Sequence, residues 1–108
     1  MVVSKEISKY ELLLISNYNV NPNQIAFVYF RDPGDVYLGY AGIIRTGAPL
    51  PPNVQFANGI LNVYFHEILL SPMLDTLRNE KPVFVKFNTD LKWGSVGTGK
   101  EPTGEQET

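Results

Sequence analysis

The chain has 108 residues, 44% hydrophobic and 19% charged, which fits one soluble globular core and excludes a wholly disordered chain. There is no cysteine, so disulfides, thiolate metal centres and cysteine nucleophiles are excluded, and the longest aliphatic run, Leu12 to Ile15, is too short for a membrane span or signal-peptide core. The net charge of −2 arises after Val96, where Lys100 stands against Glu101, Glu105 and Glu107; residues 1–96 carry eight basic and eight acidic side chains and offer no net field to a polyanion or an anionic membrane.

Met1 to Lys9 is polar and is expected to fray. Tyr10 to Ile15 reads as the first strand, and the Asn- and Pro-rich stretch Ser16 to Asn23 as a loop. Ile25 to Arg31 and Val36 to Arg45 read as two strands joined by Asp32-Pro33-Gly34-Asp35. Proline at the second and glycine at the third position there predict a type II turn. Gly39 and Gly42 interrupt the second of these strands and mark a bulge or sharp bend.

Thr46 to Pro52 is an extended, proline-rich link. The next hairpin is written in most detail, because Asn58-Gly59 is the pair that a two-residue type I′ turn prefers. That turn sets Val54 opposite Val63 and Gln55 opposite Asn62. Val54, Phe56, Leu61, Val63 and Phe65 then line the core, and Gln55 and Asn62 face water. Ser71-Pro72 predicts a helix N-cap followed by proline at the first helical position, and Asn79 to Pro82 ends a helix of about two turns. Val83 to Phe87 and Leu91 to Val96 read as a closing pair of strands around Asn88-Thr89-Asp90.

The fold class is therefore mainly β with one short helix before the last two strands. A small, strongly bent antiparallel sheet or a partly open barrel of about six or seven strands fits this order. Residues 1–96 form a single β-rich domain, and residues 97–108, with no apolar side chain to bury, form a disordered acidic tail.

Several constellations could carry chemistry. His66, the one histidine, stands near Ser71 and Asp75, but Ser71 serves better as a helix cap, and no catalytic residue is assigned. His66 with Glu67 lacks the converging ligands that zinc demands, and Asp32 with Asp35 lacks a calcium-loop spacing, so no metal and no cofactor are expected. Gly97-Thr98-Gly99-Lys100 has neither the strand nor the helix context of a phosphate loop. Pro49-Leu50-Pro51-Pro52 has the PxxP spacing of a polyproline ligand but places Arg45 one residue too far upstream, so a stiff crossover is the expected role.

The aromatic side chains are the stronger signal. Both faces of the second and third strands are apolar, with Val36, Leu38, Tyr40 and Ile44 expected opposite Tyr37, Ala41 and Ile43. A sheet with one wet face would alternate cleanly, so barrel closure, the helix or another chain is expected to cover the second face. Tyr29, Tyr37, Tyr40 and Tyr64 are the candidate binding residues, because aromatic groups bury much area at low entropic cost. The expected function is a non-enzymatic binding or assembly module in the cytoplasm, acting as a homodimer or on a protein partner. A single-stranded nucleic-acid binder stacking bases on tyrosines is the first alternative, at odds with the neutral body. A small enzyme using His66 is the second.

Overall fold

The computed structural model describes residues 1–99. Among these, eight strands form two open sheets, with one helix before the last two strands. The strands are β1 (Val2–Ile7), β2 (Lys9–Leu14), β3 (Gln24–Arg31), β4 (Tyr37–Ile44), β5 (Val54–Gln55), β6 (Leu61–His66), β7 (Val83–Asn88) and β8 (Gly94–Thr98). The larger sheet has the order β2-β3-β4-β6-β5 and the smaller β1-β7-β8. No closed barrel forms, and β4 and β6 run parallel, so the sheet is not wholly antiparallel.

The parallel pair follows from the proline-rich link. It leads the chain from the end of β4 to the start of β5, and β6 then turns back into the gap between them. Both ends of the link are fixed to β6. His66 Nε2 lies 2.8 Å from the Ala48 carbonyl, while Asn53 Oδ1 accepts from Tyr64 N–H at 2.8 Å. The link is thus a crossover, as its composition suggests.

The core lies between the sheets. Ala26, Val28 and Phe30 of β3, Ala41 and Ile43 of β4, and Leu61 and Val63 of β6 meet Ile7 of β1 and Val83, Val85 and Phe87 of β7. Met73 of the helix packs against the same cluster. Burial near 25 cal/mol per Å² of apolar surface makes this cluster the main source of stability.

Four local expectations are corrected. Residues 2–7 do not fray: β1 pairs with β7 along its whole length, from Val2–Asn88 to Ile7–Val83. Its inner face includes Lys5, whose stem lies against the core side while Nζ donates to the Gly59 carbonyl at 2.6 Å. The helix starts earlier than Ser71, as a 3₁₀ turn over Glu67–Leu69 that leads into α1 (Leu70–Asn79). Ser71 does not cap it, and Pro72 sits in the first α-helical turn, where a missing N–H is tolerated.

The two hairpin turns also differ from expectation, and in the same way. Phe56 N–H bonds Ile60 O at 2.9 Å and Gly59 N–H bonds Phe56 O at 2.8 Å, so the loop holds three residues, Ala57, Asn58 and Gly59. Only Gly59 is left-handed, at φ +89°. Val54 consequently faces Asn62 and Gln55 faces Leu61, one residue out of the expected register. Val54 and Phe56 therefore leave the core face, while Leu61 and Val63 keep it. At the other turn Asp35 N–H bonds Asp32 O at 2.9 Å and Asp35, not Gly34, is left-handed, at φ +65°. Each loop is a tight turn followed by one left-handed residue, a form that suits strand twist.

The last strand departs less. Asn88 Oδ1 accepts from Asp90 N–H and Leu91 N–H, and strand pairing resumes at Gly94 instead of Leu91. Gly97 and Thr98 belong to β8, opposite Phe84 and Val83. The expected tail from Lys100 onward lies outside the described residues.

Candidate functional site: an aromatic sheet face

The smaller sheet and α1 pack on one face of the larger sheet, and the opposite face carries the aromatic side chains. Tyr29 of β3 lies opposite Tyr40 of β4, and Phe27 opposite Gly42. Tyr40 neighbours Asn62 of β6, and Gly42 neighbours Tyr64. The strand pairing alone thus sets Phe27, Tyr29, Tyr40 and Tyr64 side by side on one surface.

Tyr37 joins them through a bulge. Phe30 pairs with Gly39 but Arg31 pairs with Tyr37, so Leu38 is an extra residue. In an unbroken strand Tyr37 and Tyr40 would point to opposite faces. The bulge keeps Leu38 in the core and turns Tyr37 to the aromatic side. The expectation that Leu38 and Tyr40 share a face, with Tyr37 opposite, is thereby corrected. Gly39 is required here: it stands at φ +129°, and a Cβ would fall 1.8 Å from the Leu61 carbonyl oxygen.

The rings form one connected array. Phe27 stacks on Tyr29 with planes 3° apart and centroids 5.4 Å apart, and it meets Tyr40 edge-on at 5.0 Å. Tyr18, from the loop before β3, meets Phe27 edge-on at 5.3 Å. Tyr37 lies 6.3 Å from Tyr29, and Tyr64 lies 6.0 Å from Tyr40. The hydroxyls of Tyr40 and Tyr64 are 3.0 Å apart and share a hydrogen bond. Gly42 is the seat of the Tyr64 ring, since a Cβ there would come within 2.6 Å of it. Phe27 is buried at the centre of the array, and the five tyrosines around it are half-buried.

Charged neighbours stand on the β2 side of the face, where Glu11 lies opposite Tyr29 and Lys9 opposite Arg31. Burial raises the phenol pKa of Tyr29, with smaller contributions from Tyr18 and Glu11. Burial also raises that of Tyr37, with Tyr29 adding to the effect and Arg31 opposing it. Tyr40 is raised furthest, first by burial and then by its hydrogen bond to Tyr64. Arg31 borders the array, 5.8 Å from the Tyr37 ring centre, with its guanidinium held by the Asp35 carbonyl at 2.9 Å.

Asn62 is the residue that sequence reasoning placed wrongly, on a wet face beside Gln55. It lies in the aromatic face, only 8% exposed, and its buried Oδ1 has no hydrogen-bond partner. Tyr18 and Phe27 are also part of the site. Phe27 was legible as an alternating apolar residue, whereas nothing in the loop sequence marks Tyr18.

The other candidate groups are not brought together. His66 Nε2 is occupied at the Ala48 carbonyl, Asp75 Oδ1 accepts from Asn79, and Ser71 is an exposed helical residue. Glu67 Oε1 accepts from Thr46 N–H at 2.8 Å, a bond that lowers its carboxyl pKa. Asp32 Oδ1 accepts from Val36 N–H within its turn. Among the described residues, no three histidine or acidic side chains are grouped as metal ligands. No family model matches the chain, and neither a curated protein nor a solved structure matches it.

Proposed function

We propose that this chain is a non-enzymatic binding or assembly module of the cytoplasm whose contact surface is the aromatic sheet face. One observation carries the reading: six aromatic rings form a continuous array on the face of the larger sheet that the smaller sheet leaves free. Aromatic residues are enriched, and charges depleted, at the centres of protein interfaces. The rings are already packed on one another, so little side-chain freedom is lost on contact. Burial raises the phenol pKa of Tyr29, Tyr37 and Tyr40 and so keeps these three neutral at pH 7, which suits an apolar partner with matching hydrogen-bond groups.

The test is a benzophenone photocrosslinker placed at Tyr64, with the same probe at Phe84 on the outer side of the smaller sheet as control. The expected result is a discrete adduct from position 64 only, at twice the monomer mass if the face self-associates. Equal labelling from both positions, or none from either, would remove the face as a contact surface. A gel shift of a single-stranded oligonucleotide at low salt, abolished by Tyr29→Ala and Tyr40→Ala, would instead favour base stacking.

A further inference from the structure

A second surface stands apart from the aromatic rings: the free edge of the larger sheet. Unpaired strand edges offer N–H and C=O groups to any passing strand, and proteins normally blunt them. Three of the four edges here are blunted. Strand β5 is two residues long, preceded by Pro51-Pro52, and Asn53 Oδ1 takes the Tyr64 N–H that a longer strand would bind. Strand β1 carries the inward-pointing Lys5. Strand β8 holds two glycines and Val96 as its one large apolar residue, so its edge offers little to a partner strand.

Strand β2 carries charges only in its first half, at Lys9 and Glu11, and has none of the other devices. It pairs with β3 without a register shift, and Ile15 N–H continues the pairing to Ile25 O at 2.9 Å. No proline interrupts it, and its far half is bare hydrocarbon. Leu13 is 43% exposed on the aromatic side, Leu14 is 70% exposed on the other, and Val20 of the following loop is 77% exposed.

The pattern along β2 matches itself. In a two-fold antiparallel pairing that joins like faces, one residue must lie on the axis. With Glu11 there, two carboxylates meet. With Leu12 there, Leu13 meets Glu11, and with Leu14 there, Leu12 meets Ser16 and the left-handed Asn17 cuts the pairing short. With Leu13 on the axis, Leu13 meets its own copy, Leu12 meets Leu14 and Glu11 meets Ile15, so no like charges face each other and each exposed leucine gains an apolar partner. We propose that β2 pairs antiparallel with β2 of a second copy, with Leu13 on the two-fold axis, joining two five-stranded sheets into one of ten strands. The two aromatic faces then lie on the same side and stay open.

The absence of cysteine makes the test clean. In Leu13→Cys the two thiols would face each other at the roughly 4.5–5.5 Å Cβ spacing of opposed residues, and mild oxidation is expected to yield mostly covalent dimer. Leu14→Cys, opposite Leu12 in this register, is expected to crosslink at least tenfold less. Light scattering is expected to show a dimer for the native chain and a folded monomer for Leu13→Lys at the same concentration, with the fold checked by circular dichroism. A native chain that stays monomeric up to millimolar concentration would overturn the proposal. So would a dimer unaffected by Leu13→Lys, or equal crosslinking from positions 13 and 14. The Tyr64 crosslink reports separately, since β6 lies three strands, roughly 14 Å, from β2.

Discussion

Two glycines in β4 occupy the same strand and do different things. Gly39 is held at positive φ and against the Leu61 carbonyl, so no side chain fits without moving the strands. Gly39→Ala is expected to cost about 3 kcal/mol or more in a denaturant titration. Gly42 faces a ring instead of backbone, and Gly42→Ala is expected to cost roughly 1–3 kcal/mol while displacing Tyr64 and breaking the Tyr40–Tyr64 hydroxyl contact. The chemical shifts of both rings would report that displacement; unchanged shifts would show that Gly42 is not the seat of the ring. Sequence alone marks both glycines as irregular points. It cannot separate them, because one is defined by Leu61 and the other by Tyr64, both on a strand that arrives later in the chain. Tyr37 is among the candidates that the sequence offers, but simple alternation sets it opposite Tyr40, and only the bulge at Leu38 turns it to the same side.

At the scale of elements, the hairpin turns illustrate how a correct signal can carry a wrong register. Asn58-Gly59 does mark the turn, but only Gly59 is left-handed. Gly59→Val is therefore expected to cost roughly 1–2 kcal/mol, the usual cost of a left-handed conformation, whereas Asn58→Val is expected to cost less than about 1 kcal/mol, mainly from the exposed bond of its Oδ1 to Ile60 N–H. Similar losses in both variants would restore the two-residue turn. Strand β1 was illegible because its alternation includes Ser4, Lys5 and Glu6, and its partner lies at the far end of the described chain. The junction of β6 and the helix holds a pH-dependent contact. The Thr46 N–H bond lowers the Glu67 pKa below the ordinary glutamate range, so its stabilisation is complete above that range and is lost as pH falls through the lower folded value. The Thr46 amide resonance is expected to titrate below pH 4.5, and Glu67→Gln to abolish that titration.

For the molecule as a whole, the strands were more legible than their arrangement. Alternation and turn residues located most of β2 to β4 and β6 to β8, because those signals are local. The division into two open sheets and the parallel β4–β6 pair are set by the route of the link, which no local pattern encodes. The tyrosine face couples ionisation to folding in the alkaline range. Burial holds the folded pKa values of Tyr29, Tyr37 and Tyr40 above the ordinary tyrosine value near 10, so the neutral phenols contribute their full stability below about pH 10, and this is lost as pH rises through the folded values. Ultraviolet titration of tyrosinate is expected to show these three ionising later than in urea, with the melting temperature falling above pH 10. Coincident titrations in the folded and unfolded chain would show the face to be fully hydrated.

Strand β1 is made before β2, and its one neighbour among the described residues, β7, only after β6 and α1. While the ribosome is at work, β2, β3 and β4 can form a meander from consecutive segments, but Val2 to Ile7 has nothing to pair with until Asn88 has emerged. The core between the sheets closes only then, so the leucine-bearing edge of β2 and the inner side of β3 and β4 are exposed together until that point. Pairings so distant along the chain make folding slow and leave the nascent meander open to other strands.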